Sequence, residues 1–390
     1  MKKSLALLGS TGSVGRQTLE VIEANKNQFE IYALAAHNEI KILKEQIIKF
    51  KPEVAVVSDE EAAKKLSRDL YGFKHTKILS GKKSLNEIAA DPKVDIAFIA
   101  VSGIVGLLPT LAAIQAGKIV ALANKETLVV AGHIVMEQAK KFNAPIIPVD
   151  SEHSAVFQCI QGTANKKYIK KIILTASGGP FRNYSFKELS RVTPDMALTH
   201  PNWSMGKKIT VDSATMMNKG LELIEARWLF DIPYNQIDVV IHPQSIIHSM
   251  VEFIDNSVIS LMSIPDMKIP IQYALTWPER RPISNSIEID FTELKALTFE
   301  SPNEKLFPCL RLARRAGEEG GLMPVVLNAA NEVAIDLFLK KRIGFLHIPY
   351  LVEAMLDSFD NSADPKLEEI LETDAVTRQK TLQLAEKLFL

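Results

Sequence analysis

Three acidic residues are the side chains in this sequence best suited to hold a cation. Asp150 and Glu152 lie two residues apart, so an extended chain would point both carboxylates to one side. Two ionised carboxylates held together repel each other unless a cation lies between them. Glu222, on a segment of helical character, is the third candidate, although Glu225 is equally available. Three oxygen ligands with open positions favour Mg²⁺ or Mn²⁺ over Zn²⁺. Taken alone, Asp150 and Glu152 are more typical of a helix start with acids in its first turn.

Lys125 follows the apolar run 119–123, so we expect it at the same edge of a sheet as Asp150, where it is a candidate for catalysis. A lysine there can polarise a carbonyl group or hold a hydroxyl oxygen; the alternative is an ordinary lysine at the start of a helix. Three histidines raise the possibility of zinc. Because no His-Glu-x-x-His string or cysteine pair accompanies them, we interpret all three as structural: His153, His242 and His248.

Donors for an anion follow in the sequence. Ser177 comes directly after a predicted strand, in a glycine-rich turn that exposes backbone amides. Ser213 is placed to cap a helical segment, and Asn218 and Lys219 follow in its first turns. Hydroxyls, an amide, a lysine and a helix N-terminus together favour a phosphate cradle. Ordinary capping explains Ser213 equally well.

The loop of residues 200–207 is rich in turn-forming residues, yet it carries Trp203 and Met205. A lid that closes over a ligand and excludes water would explain these apolar side chains. The alternative is a loop that Trp203 anchors in the core.

A glycine-rich loop follows the first apolar run, with Gly9, Gly12 and Gly15 spaced three residues apart. Such glycines let the backbone turn tightly and let a pyrophosphate approach the N-terminus of the next helix. Ser10, Thr11 and Ser13 would add hydroxyl and amide donors. A turn that binds nothing is the alternative, but the position at the head of an alternating domain favours a dinucleotide.

The element that would choose between NAD and NADP is the end of the second predicted strand, Ala36-His37-Asn38-Glu39. Glu39 could hold the ribose of NAD or could open the next helix. His37 and Asn38 could face a 2′-phosphate, but no arginine is present. The choice stays open.

Short apolar runs that alternate with amphipathic segments must position these residues. Residues 4–149 contain such runs at 4–8, 31–36, 54–57, 95–101, 119–123 and 146–149, with helical segments such as 40–50 and 60–70 between them. This order predicts an α/β fold with a Rossmann-like, doubly wound parallel sheet, in which ligands bind at the carboxyl ends of the strands. We therefore expect a dinucleotide-binding domain over 1–149.

The pattern changes after residue 149. Runs at 172–176, 237–241, 247–254 and 258–263 predict strands, the last two joined by a turn at Asp255-Asn256. We expect a catalytic α+β domain with a mainly antiparallel sheet over 150–276, with the lid at about 198–208. A linker poor in periodicity is predicted over 277–302 and a small helical domain over 303–390, with helices at 306–317, 323–341, 348–359 and 375–389.

Composition narrows the class of protein. The 390 residues carry 46 Lys plus Arg and 46 Asp plus Glu, so the chain lacks the positive charge expected of a nucleic-acid binder. Two cysteines, Cys159 and Cys309, exclude a disulfide framework and suit a reduced cytoplasm. The apolar start is too short for a signal peptide, and glycines and a proline interrupt the uncharged run 96–117. We expect a cytoplasmic protein without nucleic-acid or membrane partners.

Taken together, these sequence motifs resemble those of one family, the 1-deoxy-D-xylulose 5-phosphate reductoisomerases. The resemblance runs in order along the chain through eight blocks: Gly9–Gly15, Leu122–Glu126, Pro148–His153, Ser177–Arg182, His200–Gly206, Val211–Trp228, His242–Ser245 and Leu327–Glu332. It implies an NADPH-dependent enzyme that rearranges and reduces 1-deoxy-D-xylulose 5-phosphate to 2-C-methyl-D-erythritol 4-phosphate in the non-mevalonate isoprenoid pathway. It also implies Mn²⁺ or Mg²⁺, with Co²⁺ possible, and a homodimer.

Site residues are implied by the same resemblance. The metal would be held by Asp150, Glu152 and Glu222, and the substrate backbone by Lys125, Ser151 and Glu152. The substrate phosphate would be gathered by Ser177, His200, Ser213, Asn218 and Lys219, with Trp203 and Met205 on the lid. The cofactor would contact Thr11, Gly12, Ser13, Val14, Asn38, Asn124, Glu126 and Gly206. The sequence departs from the family at Ala36-His37-Asn38-Glu39, which lacks the basic group expected near a 2′-phosphate.

Several alternatives stay open. A retro-aldol and aldol sequence and a concerted shift are both compatible with these residues. The chain could instead be an NADP-dependent dehydrogenase of another phosphorylated aldehyde, which would need no rearrangement and no absolute metal dependence. A non-catalytic NADP(H)-sensing module is the third reading, but it leaves the acids, the lysine and the tryptophan loop without a role.

Overall fold

The computed structural model describes residues 2–163, 165–199, 205–283 and 287–389. The chain divides into two compact units that each combine separate segments. The first unit comprises Met1–Thr127, His133–Ser154 and Asp266–Ile287, and the second comprises Leu128–Gly132, Ala155–Pro265 and Glu288–Leu390. The domain boundaries expected from the sequence, at 149, 276 and 302, stay predictions.

A seven-stranded parallel sheet forms the core of the first unit. Its strands are β1 (Lys3–Leu8), β2 (Phe29–Ala36), β3 (Val54–Val57), β4 (Lys77–Ser80), β5 (Ile96–Ile99), β6 (Ile119–Leu122) and β7 (Ile146–Pro148). Their order in the sheet is β4-β3-β2-β1-β5-β6-β7, so the order reverses beside β1. The Rossmann-like, doubly wound sheet predicted from the alternating pattern is confirmed, and ligands bind such sheets at this reversal.

Helices connect the strands of this sheet. They are α1 (Ser13–Ala24), α2 (Ile40–Phe50), α3 (Glu60–Asp69), α4 (Lys83–Ala89), α5 (Leu107–Gln115) and α6 (Lys125–Lys141), with a short 3₁₀ helix at Gly103–Gly106. Strand 54–57 and helix 40–50 were predicted with the observed bounds. Strand β4 was missed because it is an edge strand with exposed Lys77 and Ser80, so it lacks the continuous apolar run of a central strand.

The second unit contains a four-stranded sheet with the order β11-β10-β8-β9. The strands are β8 (Ile169–Ala176), β9 (Ile237–Ile241), β10 (Ile247–Phe253) and β11 (Val258–Met262). The pairs β10–β11 and β10–β8 are antiparallel, and β8–β9 is parallel. The mainly antiparallel sheet and the hairpin turn at Asp255-Asn256 are therefore confirmed.

Further helices complete the chain: α7 (Ser151–Cys159), α8 (Phe186–Leu189), α9 (Pro194–Ala197), α10 (Lys207–Thr215), α11 (Met217–Phe230), α12 (Lys268–Thr276), α13 (Cys309–Glu319), α14 (Met323–Leu339), α15 (His347–Ser358) and α16 (Leu367–Phe389). Short 3₁₀ helices lie at Lys166–Tyr168 and Tyr234–Gln236. The C-terminal helices α13 to α16 confirm the predicted helical region.

Two local predictions were wrong. The single helical segment that Ser213 was expected to cap is two helices, because Met216 adopts a left-handed conformation (φ 65°) between α10 and α11. Ser213 consequently lies inside α10 and is no N-cap. Helix α12 was not predicted, since Pro270 in its first turn resembles a helix breaker, although proline is tolerated there. It packs on α1, where Lys268 pairs with Glu20 at 2.7 Å.

Among the residues that the structure describes, no helix combines the length and the apolar character needed to cross a membrane.

Candidate active site

Close backbone packing fixes the glycine-rich loop between β1 and α1. The amides of Gly9 and Ser10 both donate to the carbonyl of Ala35, at 2.9 Å. A Cβ atom on Gly9 would lie 2.4 Å from the carbonyl oxygen of Ala100, and one on Gly15 would lie 2.2 Å from that of Gly9. Only glycine fits at either position. The loop therefore runs close to two strands before α1 begins.

Gly12 is the N-cap of α1 and is exposed. Glycine has no side chain that could accept hydrogen bonds from the first amides of the helix, and the first turn holds no acidic residue. An anionic group can take that place. Thr11, Ser13 and Val14 are half-buried beside it. The structure thus brings together the four residues expected at the cofactor phosphates.

Ser10 contradicts the expectation that it donates to a phosphate. Its hydroxyl donates to Oε1 of Gln46 at 2.7 Å, and its amide donates to the carbonyl of Ala35. Nε2 of Gln46 donates in return to the carbonyl of Ser10 at 2.8 Å. Since Ser10 is fully buried, both of its donors serve the protein.

The adenosine end of a dinucleotide would face the turn after β2. Nδ1 of His37 lies 2.9 Å from Oγ of Ser58, at the carboxyl end of β3. Asn38 is exposed, and Glu39 is the N-cap residue of α2. Glu39 therefore opens the next helix, which is one of the two roles that the sequence left open.

Asn124 is the N-cap of α6 and ties two loops together. Its Oδ1 accepts from the amide of Thr127 at 3.0 Å, and its Nδ2 donates to the carbonyls of Val101 and Gly103 at 2.8 and 2.9 Å. Glu126 is buried beside it and accepts from the same Nδ2 at 3.2 Å. Asn124 thus fixes the chain after β5 against the start of α6, which carries Lys125.

Lys125 and Asp150 form a nearly buried ion pair, with Nζ 2.5 Å from Oδ2. Burial alone would raise the pKa of Asp150. The charges of Lys125 and His153 and hydrogen bonds with Glu152 and Lys125 outweigh that effect and hold the pKa below its usual range. The lowered pKa favours the ionised form of Asp150 although its side chain is only 13% exposed.

The backbone at Asp150 differs from the extended chain that the sequence suggested. Helix α7 begins at Ser151, so Glu152 lies in its first turn and the helix-start alternative describes the backbone correctly. Glu152 nevertheless lies close enough to Asp150 to help lower the pKa of that carboxyl group. Ser151 donates its hydroxyl to Oε2 of Glu152 at 2.6 Å. The acids thus form a connected group at the carboxyl end of β7.

In the second unit, the turn after β8 lies against α10. Ser177 follows the strand, and Gly178 and Gly179 adopt φ angles of 82° and 69°. The amide of Gly179 donates to Oγ of Ser177 at 3.3 Å. A Cβ atom on Gly179 would lie 2.7 Å from the carbonyl oxygen of Ser213. The fold therefore brings the Ser177 turn to Ser213, as expected for one cradle.

Helix α11 carries the next group in its first two turns. Glu222 is 1% exposed and accepts from Nδ2 of Asn218 at 2.5 Å. Lys219, also buried, donates to the other oxygen of Glu222. Burial of a carboxylate is costly unless it is paired and hydrogen-bonded, and here both conditions are met. Glu222 is therefore no surface residue.

Two buried histidines of this unit hold the backbone. Nε2 of His242 accepts from the amides of Ile246 and Ile247 at 3.2 and 3.1 Å. Nε2 of His248 lies 3.1 Å from the carbonyl oxygen of Ser263. Burial is the main cause that lowers the pKa of His248 to about 4, and the charges of His242 and Lys219 lower it further. Hydrogen bonds to Ser263 and Ile264 act in the opposite direction. Both histidines make the bonds of a structural residue.

The lid is described only in part. His200 and Trp203 lie outside the described residues. Met205 is half-buried, and Gly206 is the exposed N-cap of α10, whose carbonyl accepts from the amide of Thr210 at 3.1 Å. The expectations for the first two residues stay predictions.

Comparison with known proteins extends these local findings to the whole chain. Profiles described as 1-deoxy-D-xylulose 5-phosphate reductoisomerase, its C-terminal domain and DXP reductoisomerase C-terminal domain match residues 5–132, 146–230 and 262–380, respectively. The 1-deoxy-D-xylulose 5-phosphate reductoisomerase of Pelotomaculum thermopropionicum is 52% identical over 387 residues, which cover 99% of this chain and 100% of that protein. The protein of that name from Bacillus cereus is also 52% identical, over 98% of this chain and 99% of its own length.

This chain belongs to the 1-deoxy-D-xylulose 5-phosphate reductoisomerase family.

Solved structures of the reductoisomerase family agree with this assignment. A DOX-P reductoisomerase crystallised with NADPH, fosmidomycin and magnesium superposes with a TM-score of 0.94 at 42% identity, covering 99% of each chain. The Zymomonas mobilis reductoisomerase in complex with NADPH gives 0.91 at 41% identity, covering 100% of each chain. The resemblance inferred from eight short blocks is thereby confirmed along the chain.

Two residues near the site, His153 and Gln46, were given no role in it by the sequence of this reductoisomerase-family chain. A ring nitrogen of His153 and a carboxylate oxygen of Asp150 lie within 4.8 Å of each other. Their spacing of three residues at a helix start was the available signal. Gln46 lies between Leu43 and Ile47 on the buried face of α2. A glutamine among apolar helix positions needs a buried hydrogen-bond partner. This signal predicts a contact for Gln46 but does not identify Ser10 as the partner.

Proposed function

We propose that this chain catalyses the NADPH- and divalent-metal-dependent rearrangement and reduction of 1-deoxy-D-xylulose 5-phosphate to 2-C-methyl-D-erythritol 4-phosphate, in the non-mevalonate isoprenoid pathway. The observation that carries the proposal is the match over almost the whole chain to a reductoisomerase bound to NADPH, fosmidomycin and magnesium. The expected acids, lysine and phosphate donors are all present in this chain. A likeness confined to the nucleotide domain would not have favoured this reaction over another NADP-dependent one.

The first unit fits the dinucleotide. Gly12 leaves the N-terminus of α1 open to a pyrophosphate, and Thr11, Ser13 and Val14 surround it. Asn38 and His37 would meet the adenosine end, and Asn124, Glu126 and Gly206 would contact the rest of the cofactor. In this chain, the side-chain amide of Asn124 already makes hydrogen bonds to protein groups. Its contribution is therefore to hold the loops that flank the nicotinamide site.

The donor set also fits a divalent cation. We propose that Asp150, Glu152 and Glu222 supply oxygen ligands to one Mg²⁺ or Mn²⁺, with Co²⁺ as a substitute. Asp150 and Glu222 are each held by a lysine of their own unit, Lys125 and Lys219. Both carboxylates thus have low exposure and a compensating positive charge beside them. When bound, the metal supplies Lewis acidity to the substrate oxygens.

The chain's own groups would orient the substrate and move protons. The ammonium of Lys125, fixed by Asp150, can donate a hydrogen bond to a substrate oxygen that gains negative charge during the rearrangement. Ser151 and Glu152 directly follow Asp150 in the chain, are joined by a hydrogen bond, and would bind the neighbouring hydroxyl groups. When bound, NADPH would supply the hydride for the aldehyde carbon, and water would supply the proton for its oxygen.

The phosphate of the substrate would bind in the second unit. Ser177, Ser213, Asn218 and Lys219 provide hydroxyl, amide and ammonium donors, and His200 is the fifth residue expected there. Because the phosphate is remote from the reacting bonds, its binding energy can be used for lid closure and orientation. Trp203 and Met205 would then exclude water from the transient fragments.

An assay of NADPH oxidation with 1-deoxy-D-xylulose 5-phosphate tests the function, with and without EDTA. We expect turnover that depends on added Mg²⁺ or Mn²⁺ and a branched polyol phosphate as the product. Metal-independent turnover, or an unbranched product, would instead support a plain dehydrogenase of a phosphorylated aldehyde. Binding of NADPH without turnover of any sugar phosphate would support the sensing module.

We propose a homodimer in which β11 pairs with its copy, since β11 is an edge strand of its sheet. Its hairpin exposes three apolar side chains, Ile254, Val258 and Ile259, which are 59%, 50% and 48% exposed. Exposed apolar edge strands pair readily with another chain. A cytoplasmic location is proposed from the two buried free thiols of Cys159 and Cys309.

A further inference from the structure

Gln46 and Ser10 form a reciprocal, fully internal pair beside the glycine-rich loop. The hydroxyl of Ser10 donates to Oε1 of Gln46 at 2.7 Å, and Nε2 of Gln46 donates to the carbonyl of Ser10 at 2.8 Å. Ser10 is 0% exposed and Gln46 is 7% exposed. Both hydrogen bonds therefore form away from water, where an unpaired partner is costly.

This pair leaves Ser10 with little freedom. Its amide donates to Ala35, its carbonyl accepts from Gln46, and its hydroxyl donates to Gln46. The amide of Gly12 donates to the carbonyl of Gly9 at 3.1 Å, which closes a turn around Ser10 and Thr11. The backbone that must present its amides to a pyrophosphate is thus held by a side chain of α2.

We propose that Gln46 is a positioning residue for the dinucleotide loop: it orders the backbone at Ser10 so that Thr11, Gly12 and Ser13 receive the pyrophosphate without a further ordering cost. An amide side chain suits this role because it accepts and donates at once. The inference rests on the proposed cofactor site. It assigns Gln46 no contact with the cofactor, so its effect must pass through the loop.

A loop that is already ordered binds more tightly, because ligand binding then has less conformational freedom to remove. Gln46→Met keeps the length and volume of the side chain but can neither accept from the hydroxyl nor donate to the carbonyl of Ser10. We expect the Kd of the full-length protein for NADPH to rise about tenfold, as the loss of one to two net hydrogen bonds implies. Turnover at saturating NADPH and the KM for the sugar phosphate should stay within about twofold of wild type.

Two variants serve as comparisons. Ser10→Ala removes the hydroxyl bond alone and should raise the Kd by a smaller factor, and the double variant should be less than additive because both changes act on one pair. Tyr32→Phe removes a hydrogen bond to Asp91 at 2.6 Å, in the same unit, near the amino-terminal edge of the sheet. It should lower the thermal midpoint comparably while leaving the Kd for NADPH within about twofold.

Adenosine 2′-monophosphate, which has no pyrophosphate, is the second probe. Its Kd should be the same for wild type and Gln46→Met, whereas that of NADPH should differ. An unchanged Kd for NADPH in Gln46→Met, or an equal loss of affinity for both ligands, would overturn the inference. If Gln46→Met does not fold, an unchanged NADPH affinity in Ser10→Ala overturns it. Failure of the wild-type protein to bind NADPH would refute the proposed cofactor site instead.

Discussion

Removal of Lys219 should separate the stability of the second unit from its activity. Lys219 and Glu222 are 3% and 1% exposed, three residues apart on α11. On a helix surface such a pair contributes only about 0.3–0.5 kcal/mol. In a buried pair, removal of one partner leaves a charge without compensation and costs about 3–5 kcal/mol. Lys219→Ala should therefore lower the unfolding midpoint on the order of ten degrees in a unit of this size.

The matched variant is Lys219→Ala combined with Glu222→Gln, which removes both charges at once. Asn218, which donates to Glu222 at 2.5 Å, can donate equally to the carbonyl oxygen of a glutamine. The double variant should therefore regain most of the lost stability, because removal of both partners of a buried pair is often nearly neutral.

Activity should respond differently. Lys219→Ala should raise the KM for 1-deoxy-D-xylulose 5-phosphate, since the phosphate loses a charged donor. The double variant should stay inactive, because Glu222 is a proposed metal ligand. Differential scanning calorimetry and steady-state kinetics on the same preparations give both readouts. An unchanged KM in Lys219→Ala would refute the phosphate role, and a double variant as unstable as Lys219→Ala would refute the argument from charge compensation.

Three other changes have definite expected outcomes. Glu222→Gln should lower turnover about a thousandfold or more and leave the Kd for NADPH unchanged. Glu225, which is equally buried on the same helix, is the control, and Glu225→Gln should retain Mg²⁺-dependent turnover. Near-normal turnover of Glu222→Gln would exclude Glu222 as a ligand. His248 has a pKa of about 4 in the folded protein, against the usual 6.5, so the unfolded chain binds more protons between these two pH values. The free energy of unfolding should therefore fall by about 3 kcal/mol as the pH falls from about 6.5 to 4. His248→Asn should flatten this dependence in acid-unfolding curves, and an equally steep curve would contradict the assignment. Ile259→Lys on β11 should shift the proposed dimer towards monomer in light scattering, while Lys77→Glu on the edge strand β4 should not; a dimer that survives Ile259→Lys would exclude pairing through β11.

The sequence predicted most of the fold because hydrophobic periodicity is a local signal. Strand β3 and helix α2 were located to the residue, since each is a short run with one clear period. Strand β4 carried no such run, because an edge strand buries only part of its surface. The break at Met216 was also invisible, since a left-handed methionine has no sequence signature and arises from the tight junction of α10 and α11.

The candidate residues could be named from the sequence, but their partners could not. Two-residue spacing suggested an extended Asp150-Ser151-Glu152, whereas the helix start, the more typical reading of these residues taken alone, is what α7 shows. Ser10 read as a phosphate donor, and only the fold reveals that α2 brings Gln46 to its hydroxyl. Contacts between residues far apart in the chain depend on how elements pack, which no local pattern encodes.

The lysine–carboxylate pairs of the two units have a common physical consequence. A buried carboxylate with no counter-charge would be expelled or protonated, so a site built of acids alone would depend on its metal to fold. Here Lys125 compensates Asp150 and Lys219 compensates Glu222, each within its own unit. The same lysines are the groups proposed to bind the substrate oxygens and the phosphate. Two of the three proposed metal ligands, Asp150 and Glu222, therefore each have beside them a lysine that is also proposed to bind the substrate. This compensation explains how the two carboxylates can occupy positions of low exposure before a metal or a substrate binds.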